Sequence, residues 1–280
     1  MMISGEAQID GGNQNNAFWK RLFVPGHFEW TFKMRSGEAE SFFAPVRGMD
    51  LLAEREKRIA DNPRRYLAST SVGDRLVKAV WELALGWGHV KDPIDGVRDL
   101  AALTRQWEPD LLILDQKTLS FAAGAVCFPS SWNLEKRVGQ SIHEVHEVVP
   151  RLNPQIGEMI TRFLSRLLPG KSSRRENWSI TRTGDLDYHP DLNRKRLDDT
   201  VVLDELFLRV EHQLFTGISD GVLMGLRVQA VPLRELASEP AAWQAVAEKL
   251  RTMPEDVADY KAMNTAVPHI LKEMDAYQAL

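Results

Sequence analysis

Apolar positions recur at helical spacing from Asp50 to Ala60 and from Ser71 to Leu85, where Leu76, Ala79, Val80, Leu83 and Ala84 form one stripe. Two amphipathic helices are expected there. Ser71, with Asp74 three residues on, is expected to cap the second, and Gly86 and Gly88 to end it. A third helix is expected over Asp95 to Trp107. Beyond Pro109, the apolar runs Leu111 to Leu114 and Leu119 to Phe128 read as successive strands, and Pro129 stops the second because it has no ladder donor. Upstream, Phe28, Trp30 and Phe32 alternate as in a half-buried strand.

The chain then turns into a helical segment between Asn133 and Val149, broken near Gly139. A strongly amphipathic helix follows, opened by Asn153 and Pro154, carrying Ile156, Met159, Ile160, Phe163, Leu164 and Leu167, and closed by Pro169 and Gly170. Its stripe belongs against a sheet. Lys171 to Thr200 is polar apart from Asn177 to Ile180, which predicts a surface loop interrupted by one short strand. From Leu206 to Phe215, Leu206, Leu208, Val210 and Leu214 share one face while Arg209, Glu211 and Gln213 share the other. A glycine-bearing turn over Thr216 to Gly221 leads into the alternation Val222, Met224, Leu226, Val228, an antiparallel partner. Ser238 and Pro240 open a helix with Trp243, Val246, Ala247 and Leu250; Pro254 opens another, and Val267 to Tyr277 forms the last. Helices before, between and after antiparallel strands make the class α+β. Residues 1–16, rich in Gly and Asn, are expected to form a flexible leader, and 17–280 a single domain.

Composition narrows the function without naming it. With 44% apolar and 26% charged residues the chain of 280 has the profile of a water-soluble globular protein, and a net charge of −4 offers no general pull toward nucleic acid or anionic lipid. The single cysteine, Cys127, excludes an intrachain disulfide and Cys-rich zinc or iron–sulfur sites. A reducing, cytoplasmic location without a membrane span is expected. Phosphate-binding, dinucleotide-binding and serine-hydrolase signatures are missing.

The densest chemistry lies in Ile142 to Pro150. At about 100° per residue, Ile142, Val145, Val148 and Val149 form one face, with His146 at its edge and His143 nearer Glu144 and Glu147. His146 is thus placed as an axial ligand to a haem iron, as a core-edge histidine satisfied by a backbone group, or, with His143 and Glu147, as one ligand of a shared metal. Arg209 and Glu211 form either a charged pair on a solvated strand face or, under covering helices, a site in which the arginine holds a carboxylate such as a haem propionate. Trp178 reads as a small core anchor or as an aromatic pocket wall. Lys261 reads as a solvated helix residue, and Cys127 as a buried, unreactive thiol.

Several segments in order resemble the haem-dependent oxidative N-demethylase family: Ala125 to Trp132, Lys136 to Gly139, Val145 to Pro150, Phe163 to Gly170, Asn177 to Ile180, Leu208 to Gln213 and Asp259 to Lys261. In register, His146 rather than His143 matches the family histidine, and Arg209, Glu211 and Gln213 match its strand. His212 stands in place of a second arginine and Val148 in place of a proline. The resemblance implies a PAS-like antiparallel sheet surrounded by helices, binding haem b through His146, with Trp178, Arg209 and Phe128 as further cofactor contacts and Arg209 and Glu211 in catalytic roles. It implies oxidation of a small methylated amine such as dimethylamine by O2, with release of formaldehyde and with electrons from an external flavin and iron–sulfur reductase. The other reading is a non-catalytic PAS-like haem or ligand sensor, or an accessory subunit of a multi-component monooxygenase.

Overall fold

The computed structural model describes residues 11–46 and 51–278, the first six of them by their backbone alone. Its centre is an antiparallel sheet in the order β1-β5-β6-β7-β3-β4-β2. The strands are β1 (Arg35–Ser36), β2 (Leu67–Ser69), β3 (Asp110–Asp115), β4 (Phe121–Ala125), β5 (Ser172–Thr181), β6 (Phe207–Ile218) and β7 (Gly221–Pro232). The longest pair, β6 and β7, is a hairpin in register from Phe207↔Pro232 to Ile218↔Gly221, and Asp220 takes the left-handed conformation (φ 58°) of its tight turn.

Two layers of helices enclose the sheet. Before β3 come α1 (Gly11–Leu22), α2 (Ala39–Phe43), α3 (Leu51–Asp61), α4 (Pro63–Tyr66), α5 (Ser71–Gly86) and α6 (Leu100–Thr104). Between β4 and β5 lie α7 (Ile142–Glu147) and α8 (Glu158–Arg166), and after β7 lie α9 (Pro240–Arg251), α10 (Glu255–Tyr260) and α11 (Val267–Gln278). Strand alternation sends Leu208 and Val210 of β6 into one core with Trp243, Val246 and Leu250 of α9 and Ile270 and Met274 of α11. Leu111, Ile113 and Leu223 meet α5 and α6 on the same side. The opposite side, with Leu112, Leu114, Val222 and Leu226, receives Ile142 of α7 and Ile160 and Leu164 of α8, the contact expected of that amphipathic stripe. At Gly73 an added Cβ would lie 2.1 Å from the Ala122 carbonyl oxygen, so α5 begins directly against β4.

Several local expectations are corrected. Residues 27–34 form no strand: Phe28 N–H goes to Thr252 Oγ1 (2.8 Å) and the Trp30 indole N–H to the Pro150 carbonyl (2.8 Å), so this aromatic run is an extended strap held by side chains and loops. The Asp95–Trp107 helix shrinks to α6, because Gly96 turns left-handed (φ 70°) and Asp99 caps at the Ala102 N–H (2.7 Å). Thr70, not Ser71, caps α5 through Gly73 N–H. Residues 133–140 form turns, and the helix starts after Ser141, whose capping box with Glu144 fixes it. Asn153–Gly157 is a wide π-turn leading into α8. The loop expected over Lys171 to Thr200 instead yields a ten-residue strand, β5, whose polar residues are drawn into the sheet by pairing with β6. Ser238 donates to the Glu235 carbonyl and does not cap α9, which begins at Pro240. Backbone 11–16 is the first half of α1, while residues 1–10 of the expected leader and Asp50 lie outside the described residues.

Candidate haem and amine site

The sheet face beneath α7 and α8 carries the odd positions of β5 and β6. Register places Ser179 opposite Arg209, Asn177 opposite Glu211, and Arg175 opposite Gln213. The face is apolar toward β3 and β7 and charged toward β5. This is the face expected to carry Arg209, Glu211 and Gln213; α7 and α8 cover its apolar half, and the 128–130 turn and the 185–186 loop cover Arg209.

The two histidines of α7 are not equivalent. His143 is exposed and its Nε2 bonds Thr161 Oγ1 at 3.0 Å. His146 is half-buried, and neither ring nitrogen has a hydrogen-bond partner among the described residues. Burial, reinforced by the positive charges of Arg175 and His143, pushes its pKa down to about 4. At neutral pH it is therefore an uncharged imidazole with an uncommitted lone pair.

Arg209 is almost wholly buried and fully engaged by the chain. Its Nε donates to Ser130 Oγ (2.7 Å), one terminal nitrogen to the Asp185 carbonyl (3.1 Å), and the other to the carbonyls of Phe128 (2.9 Å) and Leu186 (2.7 Å). These bonds tie the 128–130 turn and the 185–186 loop to β6, and they leave little of the guanidinium for a haem carboxylate. Phe128 takes part through that carbonyl; its ring packs with Ile59, Tyr66 and Cys127, under the Arg58 guanidinium at 5.2 Å. Asp110 holds the same turn from the other side by accepting Cys127 and Phe128 N–H, both at 2.8 Å. The Cys127 thiol, buried here, is pushed up to about 12 and stays protonated.

Glu211 accepts a hydrogen bond from Ser130 Oγ and another from Gln213 Nε2 (3.0 Å). Its charge also supports the cationic forms of Arg175 and Lys261. Arg175 has no hydrogen bond or ion pair among the described residues, and burial lowers its pKa. Lys261, read from sequence as solvated, is instead enclosed: its Nζ lies 5.3 Å from the Trp30 ring centroid and 5.9 Å from that of Trp178, and burial brings it down to about 8. Trp178 is both anchor and wall, since its other contacts include Phe23 in an edge-to-face pair at 5.3 Å. Sequence reasoning placed Gln213 on this face without giving it a role, and missed Ser130, Arg175 and Trp30 as site residues. For Arg175 the signal existed: it lies two residues before Asn177 on one strand face.

The chemistry of the donor set suits a haem iron. The macrocycle supplies four ligands to its iron, so one neutral imidazole suffices from the chain. Val145 and Val149, which flank His146 in the chain, pack with Phe215 and Met224 on the apolar cluster of this face, and Arg175, whose charge reaches His146, has no ion pair among the described residues and suits an acidic side group. The two departures from the family pattern fall away from this face: His212 points to the other side, 3.7 Å from Glu176, and Val148 is half exposed at the end of α7.

The chain was also compared with known protein families. The model described as haem-dependent oxidative N-demethylase, alpha subunit-like, matches residues 89–271, a span holding β3 to β7, both histidines of α7 and Lys261. The chain belongs to that family.

Proposed function

We propose that the protein is a haem-dependent monooxygenase that oxidatively demethylates a small methylated amine of the dimethylamine type, releasing formaldehyde. The observation that carries this reading is His146: a half-buried, neutral, unpaired imidazole at the edge of the apolar half of a sheet face whose charged half contains Glu211. A bound haem b supplies oxygen activation, with electrons delivered by an external flavin and iron–sulfur reductase.

The chain's own residues do the rest. His146 offers its lone pair to the iron, and its low pKa keeps that lone pair available well below neutral pH. Glu211, oriented by Ser130 and Gln213, receives the N–H of a cationic amine and sets its methyl group toward the apolar half. Arg175 balances an acidic side group of the cofactor. Arg209 acts by holding Ser130 and thereby Glu211, while Trp178, opposite Val210 in the register, lies on the other face of the sheet with Phe23 and does not line this site. Val145, Val149 and Phe215 exclude water.

The hairpin β3–β4, the helices α7 and α8, and the meander β5–β6–β7 whose last strand returns beside β3 support a PAS-like arrangement. No helix among the described residues is long and apolar enough to cross a membrane. On this reading, residues 17–280 form one haem-binding domain of a cytoplasmic enzyme.

Expression with haem supply, followed by an absorption spectrum, tests the reading. A Soret band is expected, lost or displaced in His146→Ala, and the reduced protein with O2 and dimethylamine should yield formaldehyde. A Soret band unchanged in His146→Ala rejects the ligand, and absence of formaldehyde from haem-loaded protein rejects the activity.

A further inference from the structure

β1 pairs with β5 only at Arg174 and Ser173, so from Arg175 onward the outer flank of β5 has no strand partner. Between this flank, the strap of residues 24–35, the end of α1 and α9 lies a cleft of about 410 Å³. Its basic lining consists of Arg21, Lys33, Arg35, Arg175, Lys249 and Lys261, against only Glu29 and Glu176 as acids. Trp30, Phe28 and Trp178 supply aromatic surface.

The basic groups are poorly compensated. Glu176 is taken up by Arg35 and lies 3.7 Å from His212, while Arg21, Lys33 and Lys249 have no hydrogen bond or ion pair among the described residues. Burial, with Arg35 and Arg174 nearby and only Glu176 opposing, depresses the pKa of Arg21, and burial, with Lys33 nearby and Glu29 opposing, depresses that of Lys249. The Arg35 Nε is buried without an acceptor. Six Lys and Arg side chains against two glutamates leave the cleft positive, which favours a ligand carrying negative groups. The neighbouring Trp30 and Trp178 rings call for a flat body attached to those groups.

We propose that this cleft is a second ligand site, distinct from the His146 face, that binds an aromatic polyanion of the nucleoside phosphate class. The base lies beside Lys261 against the Trp30 and Trp178 rings, and the phosphates meet Arg21, Lys33 and Lys249, which have no ion pair among the described residues. Arg175 is left to the His146 face. The inference does not need the haem reading, because none of its phosphate contacts comes from that face.

The test is calorimetric titration of the full chain, haem-loaded and haem-free, with ADP, pyrophosphate and adenosine. ADP is expected to bind both forms at least tenfold more tightly than either fragment. The Lys33→Ala/Lys249→Ala double variant, which alters exposed and half-buried side chains, should weaken ADP and pyrophosphate about tenfold and leave adenosine unchanged. Trp30→Leu should weaken ADP and adenosine and spare pyrophosphate. Absence of ADP binding, binding confined to haem-free protein, or affinity indifferent to the double substitution overturns the proposal. Failure of the chain to take up haem, read from its spectrum, overturns the monooxygenase reading alone, and the haem-free titration then decides the cleft.

Discussion

Arg209 and Glu211 do not pair with each other across the two residues that separate them; they meet through Ser130, whose Oγ accepts from Arg209 Nε at 2.7 Å and donates to a Glu211 carboxylate oxygen. One hydroxyl therefore couples a structural cation to the carboxylate proposed to hold the amine. Ser130→Ala is expected to leave the buried Nε without an acceptor and to cost about 1–3 kcal/mol in urea unfolding. A cost near zero would show that the coupling carries no stability.

Arg209 itself is a fork holding several carbonyls, and lysine has one point charge with which to replace it. Arg209→Lys should therefore destabilise by about 3 kcal/mol or more, nearly as much as Arg209→Met, because buried carbonyls lose their donors in both. Equilibrium unfolding of the two variants checks this. Full rescue by lysine would mean that only the charge matters.

His146 gives a defined pH signature. Its folded pKa of about 4 lies below the ordinary histidine value of 6.5, so between these values the unfolded chain binds the extra proton. Stability from the neutral imidazole is complete above pH 6.5 and is lost as the pH falls toward 4, by about 3 kcal/mol in all. The difference in unfolding free energy between wild type and His146→Phe should follow that window. A difference independent of pH from 7 to 4 would show that the imidazole is not desolvated.

Lys261 titrates at the opposite end. With a folded pKa near 8 against an ordinary 10.5, its enclosed ammonium costs stability at neutral pH, and the cost is relieved as pH rises from 8 to 10.5. Lys261→Met should consequently match or exceed wild type in stability at pH 7, with its advantage shrinking through that window. Thermal unfolding at pH 7 and pH 10 measures it.

At the start of α5, Gly73→Ala would drive a methyl group into the backbone carbonyl of Ala122, an atom that cannot move aside. A loss of about 2 kcal/mol or more is expected. Gly86, at the other end of the same helix, has open space, and Gly86→Ala should be tolerated.

The legible parts of this chain are those where one physical signal dominates. The alternation of β6 and β7 put Arg209, Glu211 and Gln213 on one face, and the helical arc of α7 separated His146 from His143; both relations hold in the structure. β5 was hidden because charged residues occupy both of its faces, leaving no period-two contrast, and only pairing with β6 makes it a strand. The strap was misread for the converse reason: aromatic alternation marks an extended segment but not where its N–H groups go. Lys261 could not be recognised from its own neighbourhood, since Trp30 and Trp178, which enclose it, are remote in sequence. Ser130 likewise became important only when the fold laid its turn across β6.

The unpaired flank of β5 has a consequence for the soluble life of the molecule. An outer strand whose flank pairs with no neighbouring strand among the described residues invites another chain to extend the sheet, the first step toward fibrils. Arg21, Lys33 and Lys249, gathered in front of it, would have to be pushed together with the same residues of any arriving copy. The charges assigned to a ligand thus serve a second time, as a guard against self-association, and neutralising them should be paid for in shelf life even where folding is untouched.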